Sequence, residues 1–191
     1  MSMMKPHDEH EDDPLSVMEY FILALVGKAR LTSLYGFQQR AGLQPGGIRS
    51  SLQRLEERGL LERAPSGSRQ RRDLSLTAIG TRFLERTWKH CLADYPDAES
   101  IMRAATVALL MGDQPYAADY LSGVALTRKS SGEEKTMEAE RLGRGRLEPL
   151  STYAWMRALT EAQRREGESK AFAGLGRTLK EKHQPDVTQQ P

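Results

Sequence analysis

Several features that define common protein classes are scarce in this sequence of 191 residues. Its single cysteine, Cys91, cannot form an intramolecular disulfide, which agrees with a reducing compartment. The longest candidate apolar run, residues 21–26, falls far short of the roughly 18 residues that a membrane-spanning helix needs. Aromatic residues make up only 6%, so a core would consist mainly of Leu, Ala and Met. We therefore expect a cytoplasmic protein with a helical core and no membrane partner.

The residue patterns of common enzyme and metal sites are also missing. There is no Ser-His-Asp, paired-carboxylate or Walker-type arrangement, and the two Gly-x-Gly sequences, at 143–145 and 174–176, do not follow predicted strands. His7 and His10 lie among acidic residues, but no second cluster completes a metal site. The sequence thus predicts a protein that is not an enzyme and holds no metal or cofactor. An enzyme built by the C-terminal helices remains a third, less favoured interpretation.

The net charge of +2 is distributed unevenly along the chain. Residues 1–13 contain five acidic residues and one lysine, which predicts a disordered acidic tail rather than a secretory signal. Residues 28–72 contain ten basic and three acidic residues, a net charge of +7 within 45 positions. Such a concentration is typical of a surface that binds phosphate, although a solvated basic surface is the plainer alternative.

Apolar residues that recur every three to four positions predict three helices in the first half of the chain, at residues 14–27, 33–42 and 45–58. Asp13 is expected to cap the first helix, and Gly59 to end the third in the left-handed conformation. Two short strands within residues 60–76, joined by turn residues, predict a hairpin with a basic tip. Thr77 then caps a helix expected to bury Ile79 and to continue to about Leu92.

The second half of the chain is predicted to be helical throughout, after a boundary near residues 94–97. Amphipathic helices are expected at residues 97–111, 115–127, 147–165 and 169–182, with a weak helix or linker at 129–145. Tyr153, Trp155 and Met156 are candidate contacts for a small-molecule effector or a dimer partner, or ordinary core residues. We therefore predict a first domain at 14–93, a helical second domain at 97–182 that has room for an effector, and a disordered tail at 183–191.

The third predicted helix has the chemistry that a major-groove reader requires. Its apolar stripe, Ile48, Leu52 and Leu55, leaves a polar face outward, and Arg and Gln can pair with guanine and adenine. Two glycines at its start permit close approach, and the basic hairpin tip suits phosphate contact. The predicted DNA contacts are Gln44, Gly46, Gly47, Arg49, Ser50, Gln53, Arg54, Arg69, Arg71 and Arg72. Arg54 and Arg58 could instead pair with Glu57 and Glu62.

The first half of the chain resembles the PadR-like transcriptional regulators. The resemblance rests on residues 20–25, on 35–37, on 45–61 (Pro-Gly-Gly-Ile-Arg-Ser-Ser-Leu-Gln-Arg-Leu-Glu-Glu-Arg-Gly-Leu-Leu), and on Arg71-Arg72 before residues 76–80. It implies a winged helix-turn-helix, a helical C-terminal dimerisation domain, a homodimer on a palindromic operator, repression and sometimes a small aromatic effector. Residues 46–49 replace the family's Gly-Thr-Leu-Tyr, and Asp73-Leu74 replaces its aromatic pair, so a different operator is expected.

Together these observations predict a mainly α protein with a small two-stranded wing, namely a winged helix-turn-helix followed by an all-helical C-terminal domain. The predicted function is that of a homodimeric transcriptional repressor that binds double-stranded DNA in a sequence-specific manner. A winged-helix module that binds an acidic protein partner, and never DNA, remains the alternative.

Overall fold

The computed structural model describes residues 14–65, 72–144 and 149–183 of the chain. The predicted tails therefore lie almost entirely outside the described residues, as does the hairpin tip at 66–71. The described residues are mainly helical and contain one small antiparallel sheet of two strands, which confirms the predicted mainly α class. The chain divides into two compact units, of which the first ends at Gly112 and the second begins at Asp113.

The described elements follow one another in the order that the sequence pattern predicts for the first half. They are α1 (Val17–Gly27), α2 (Leu34–Ala41), α3 (Pro45–Glu57), β1 (Leu61–Pro65), β2 (Arg72–Leu76), α4 (Ala78–Thr87), a short 3-10 helix (Trp88–Cys91), α5 (Ala98–Leu110), α6 (Gln114–Gly143) and α7 (Pro149–His183).

The centre of the first unit is α1, which is buried along nearly its whole length. Ile22, Leu23 and Ala24 have no solvent exposure, and α1 contacts α3, α4, α5 and β2. Its N-cap is Ser16 rather than the predicted Asp13, because Ser16 and Glu19 form a reciprocal capping box. The Ser16 hydroxyl accepts from the Glu19 amide, while the Glu19 carboxylate accepts from the Ser16 amide at 2.7 Å.

Three features of the first unit differ from expectation. The helix after the hairpin ends at Thr87 and continues only as the 3-10 turn, and Ile79, expected to be buried, is 58% exposed. The compact unit also extends beyond residues 94–97, because α5 packs against α1 and buries Ile101 and Val107. Asp97, which accepts from the Ser100 amide at 2.7 Å, starts α5 as predicted.

The second unit is a pair of long helices, α6 and α7, packed against each other. The weak helix or linker predicted at 129–145 is helix as far as Gly143, and the predicted break near residue 166 is wrong, because α7 is continuous there. Small residues allow the two helices to pack closely, since a Cβ added at Gly176 would lie 3.1 Å from the Ala118 carbonyl oxygen. A buried ion pair, Arg128 Nε to Glu168 Oε2 at 3.1 Å, joins the two helices. Within the described ranges, no helix is long and apolar enough to cross a membrane.

Candidate nucleic-acid interface

Helix α3 buries one side and exposes the other, as its sequence pattern predicts. Ile48, Leu52 and Leu55 are at most 2% exposed, and they hold the helix against the core of the first unit. Pro45 stands in the first turn, where its missing N–H costs nothing. Gly59 follows the helix with a φ of +66°, which confirms the predicted left-handed end and lets the chain turn directly into β1. The orientation of α3 is therefore fixed by apolar packing at its back.

The exposed face of α3 carries most of the predicted contacts. Gly46, Arg49, Ser50 and Gln53 all lie in solvent, and their spacing places them in one row along the helix. The residue before the helix, Gln44, is exposed too and makes no side-chain cap. Within the described part of the chain, Arg49 has no hydrogen-bond or ion-pair partner. Its guanidinium is therefore available to a ligand.

The start of α3 is open but offers fewer free amides than the sequence suggested. No atom lies within 4 Å of a Cβ built on Gly46 or Gly47, so the helix end is unobstructed. The amide of Gly47 donates to the Gln44 carbonyl at 3.0 Å, and Pro45 has no N–H. This helix end would thus contribute to phosphate binding chiefly by allowing the DNA backbone to come close to Gly46 and Gly47.

Arg54 differs from the other predicted contacts because it is bound to α1. Its Nε donates to Glu19 Oε1 at 2.7 Å, and its Nη2 lies 3.5 Å from the Ser51 hydroxyl. Burial of Glu19 favours its neutral form, but hydrogen bonds from Arg54 and Ser16 outweigh burial and lower the pKa of Glu19. Arg54 therefore ties α3 to the N-terminal end of α1. The partner is Glu19 and not Glu57, the partner suggested by the sequence.

Gln53 and Glu57 form a pair on the exposed face. Gln53 Nε2 donates to Glu57 Oε1 at 2.8 Å, one helical turn away. A carboxylate accordingly stands at the C-terminal end of the exposed row. The neighbouring Glu56 is turned to the side, where it accepts from Arg63 Nε at 2.6 Å.

The two strands form an antiparallel hairpin directly after α3. Leu61 pairs with Leu76 at its base, and Pro65 pairs with Arg72 at the far end of the described strands. The Leu74 amide donates to the Thr32 carbonyl at 2.8 Å, which attaches β2 to the segment between α1 and α2. Arg69 and Arg71 lie outside the described residues, and only the backbone of Arg72 is described. The hairpin is therefore anchored through β2 to the segment that precedes α2.

A close backbone contact fixes α4 against the base of the hairpin. Thr77 caps α4, and its hydroxyl donates to the Gly59 carbonyl at 2.6 Å while its amide donates to the Leu60 carbonyl at 3.2 Å. A Cβ added at Gly80 would lie 2.0 Å from that same Leu60 oxygen. Glycine at position 80 is thus required for helix and strand to approach this closely.

The basic stretch is partly neutralised by local ion pairs. Besides Arg54 and Arg63, Lys28 is paired, its Nζ lying 3.4 Å from Glu85 Oε1. In the ranges that the structure covers, Arg30, Arg40 and Arg49 are exposed and have no ion pair. Arg30 also has a φ of +53°, an uncommon conformation for a residue other than glycine. The available positive charge is smaller than the sequence count suggests.

Of the three candidate contacts of the second unit, two have side chains that the structure describes. The Trp155 indole lies against Gly143, Met156 is 48% exposed, and the side chain of Tyr153 is outside the described part. A groove of about 620 Å³ beside α6 and α7 is lined by neither Trp155 nor Met156. Its charged lining residues are Lys135, Glu138, Arg157, Glu161 and Arg164.

Sites of other kinds find little support among the described residues. Burial raises the pKa of Cys91 to about 12, so its thiol stays protonated at neutral pH. The described residues contain no group of three His, Cys, Asp or Glu side chains able to hold a metal ion.

The chain matches no protein-family model, and it has no significant match among curated proteins or solved structures.

Proposed function

We propose that residues 14–93 form a winged helix-turn-helix that binds double-stranded DNA. In this assignment α3 enters the major groove, and the hairpin serves as the wing along the phosphate backbone. The observation that carries the proposal is the exposed row Arg49, Ser50 and Gln53 on a helix whose opposite side is buried. The Leu74 to Thr32 hydrogen bond supports it, because it holds the hairpin against the segment that leads into α2.

The chemistry of the exposed row suits base edges. The major groove admits an α-helix, and a guanidinium can donate two parallel hydrogen bonds to guanine O6 and N7. Arg49 has all its donors available among the described residues, whereas Arg54 is occupied by Glu19. We therefore assign base reading to Arg49 and Gln53, and assign to Arg54 the support of the helix.

Phosphate contacts are the second component of the proposal. Arg30 and Arg40 are exposed and lack ion pairs within the described residues, so either can neutralise a phosphate. From the sequence, we propose the same role for Arg69, Arg71 and Arg72. These contacts contribute affinity and salt dependence but carry no sequence information.

The second unit is assigned to dimerisation by the resemblance to PadR-like regulators. We propose a cytoplasmic homodimer that represses transcription by binding DNA, without catalysis, and that can respond to a small-molecule effector. Exposed apolar side chains on the two long helices, among them Leu126 at 68% and Met137 at 63%, support a further protein contact there. A dimer would place two α3 helices on half-sites about one DNA turn apart.

The test is binding of the full chain to labelled duplex from the region upstream of its own gene, measured by fluorescence anisotropy at two salt concentrations. Arg49→Ala is expected to weaken binding to the preferred duplex by about 1 to 3 kcal/mol and to relax the base preference at one position. The matched control is Arg82→Ala, an exposed arginine on α4, which should leave base preference unchanged.

Two results would contradict the proposal. If Arg49→Ala and the parent chain prefer the same bases to the same degree, Arg49 does not read DNA. If the chain fails to bind duplex even at low salt, the protein-binding module becomes the better assignment. In that case its basic surface would dock on an acidic partner.

A further inference from the structure

The Gln53 to Glu57 hydrogen bond fixes the orientation of the Gln53 side-chain amide as well as its position. A glutamine amide can turn over, presenting either its oxygen or its nitrogen to a given neighbour. An ionised carboxylate only accepts hydrogen bonds, so Glu57 can be satisfied only by the nitrogen of Gln53. The pair therefore determines which way the Gln53 amide faces.

Glu57 is available for this role because its neighbours are engaged elsewhere. Arg54, one turn before Glu57, donates to Glu19, and Glu56 accepts from Arg63. Glu57 and Gln53 are both exposed on the face of α3 that also carries Arg49. Nothing else described on that face carries a negative charge.

We propose that Glu57 is a positioning residue that sets the base specificity of Gln53. With one amide hydrogen on Glu57, Gln53 retains its Oε1 as an acceptor and its second amide hydrogen as a donor. Adenine presents the complementary pair in the major groove, a donor at N6 and an acceptor at N7. Guanine presents two acceptors, O6 and N7, and leaves Oε1 of Gln53 without a donor. The pair thus selects adenine over guanine at one position. This inference rests on the proposed DNA binding by α3.

The carboxylate also has an effect on affinity that is separate from specificity. A negative charge near the groove repels phosphate at every sequence alike. Removal of Glu57 should therefore strengthen binding to all duplexes. It should also reduce the preference for adenine over guanine at the one position that Gln53 reads. Loss of the negative charge alone predicts the gain in affinity but not the loss of base preference.

The experiment compares variants on duplexes with single base-pair changes, using anisotropy at fixed salt. The position read by Gln53 is first identified as the one where Gln53→Ala loses its preference. There the parent chain should prefer adenine over guanine by at least about five-fold. Glu57→Gln should reduce that ratio to about two-fold or less, because an amide can satisfy Gln53 in either orientation.

Two control variants separate positioning from charge. Glu57→Asp keeps the negative charge but shortens the side chain by one methylene. It should therefore lose the preference for adenine over guanine, as Glu57→Gln does. Glu62→Gln removes an equal charge from β1, where Glu62 accepts from Ser75, and should keep the preference. Circular dichroism of each variant verifies that it is folded.

A readout without DNA distinguishes failure of this inference from failure of the proposed function. The side-chain amide resonances of Gln53 should shift on Glu57→Gln, which reports the hydrogen bond itself. If they shift but no variant binds duplex, DNA binding is refuted and the inference with it. If duplex is bound and both Glu57→Gln and Glu57→Asp keep the adenine preference, DNA binding stands and the positioning role is refuted.

Discussion

The contact between Gly80 and Leu60 offers the sharpest test of how the hairpin is held. In Gly80→Ala, the new methyl carbon would begin 2.0 Å from the Leu60 carbonyl oxygen. Cβ atoms essentially never lie closer than 3.0 Å to another heavy atom, so the two backbones would have to separate by at least about 1 Å. The Leu60 oxygen cannot move freely, because it accepts from the Thr77 amide at 3.2 Å.

The expected cost follows from these contacts. Overpacking of this kind destabilises by about 1 to 3 kcal/mol, and weakening the Thr77 hydrogen bond adds about 0.5 to 1.5 kcal/mol. Alanine regains about 1 kcal/mol because it favours the helix more than glycine does. We therefore expect a net loss of about 0.5 to 3.5 kcal/mol in the free energy of unfolding of the first unit. Each kcal/mol corresponds to a fall in Tm of about 4 to 8 °C for a unit of this size.

Urea unfolding followed by tryptophan fluorescence measures this change in the right unit. The chain has two tryptophans, of which Trp88 is buried in the first unit and Trp155 lies in the second. In a Trp155→Phe background, the signal of Trp88 therefore reports the first unit alone. A Gly80→Ala midpoint equal to or above that of the parent would refute the close approach of α4 and β1.

The remaining predictions concern α3. Gly47→Ala places a methyl group where no atom lies within 4 Å, so the free energy of unfolding should be unchanged or rise by up to about 1 kcal/mol in urea unfolding. The same methyl group stands at the exposed start of α3, so DNA binding measured by anisotropy should weaken several-fold. Arg54→Ala leaves the buried carboxylate of Glu19 without this donor and should cost about 1 to 3 kcal/mol in urea unfolding at neutral pH. The folded-state pKa of Glu19 is lowered, so its stabilisation is full above the unfolded-state pKa and is lost as pH falls through the folded-state pKa. Glu19→Gln should accordingly flatten the acid side of the pH dependence of stability, and an unaltered profile would contradict the ion pair.

The elements of the first unit were largely predictable because local signals mark their ends. Gly42 and Gly59, both with positive φ, stop α2 and α3 where the sequence suggested, and the stripe Ile48, Leu52, Leu55 is buried as expected. The capping box at Ser16 also follows a readable Ser-x-x-Glu pattern, yet the Asp-Pro pair just before it gave a competing start for α1.

What the sequence did not reveal depends on contacts between distant residues. The Arg54 to Glu19 ion pair and the Leu74 to Thr32 hydrogen bond join positions 35 and 42 residues apart, and no local pattern marks them. The continuity of α6 through residues 129–143 has the same origin. Its glycines and charges weaken the apolar period, but packing against α7 stabilises the helix regardless.

The limited number of unpaired cations bears on how the proposed regulator would bind. Each phosphate that a protein neutralises contributes about −0.9 to the slope of log affinity against log salt. Among the described residues, the exposed cations to which the proposal assigns phosphate contacts are Arg30 and Arg40, which would contribute a slope of about −2 per unit. The three arginines proposed at the hairpin tip would add about −3 to this slope, so non-specific attraction of a single unit would depend mainly on the hairpin. Specific binding would depend on the base contacts of α3 and on the doubling of all contacts in a dimer, which makes the assembly of the second unit decisive for affinity.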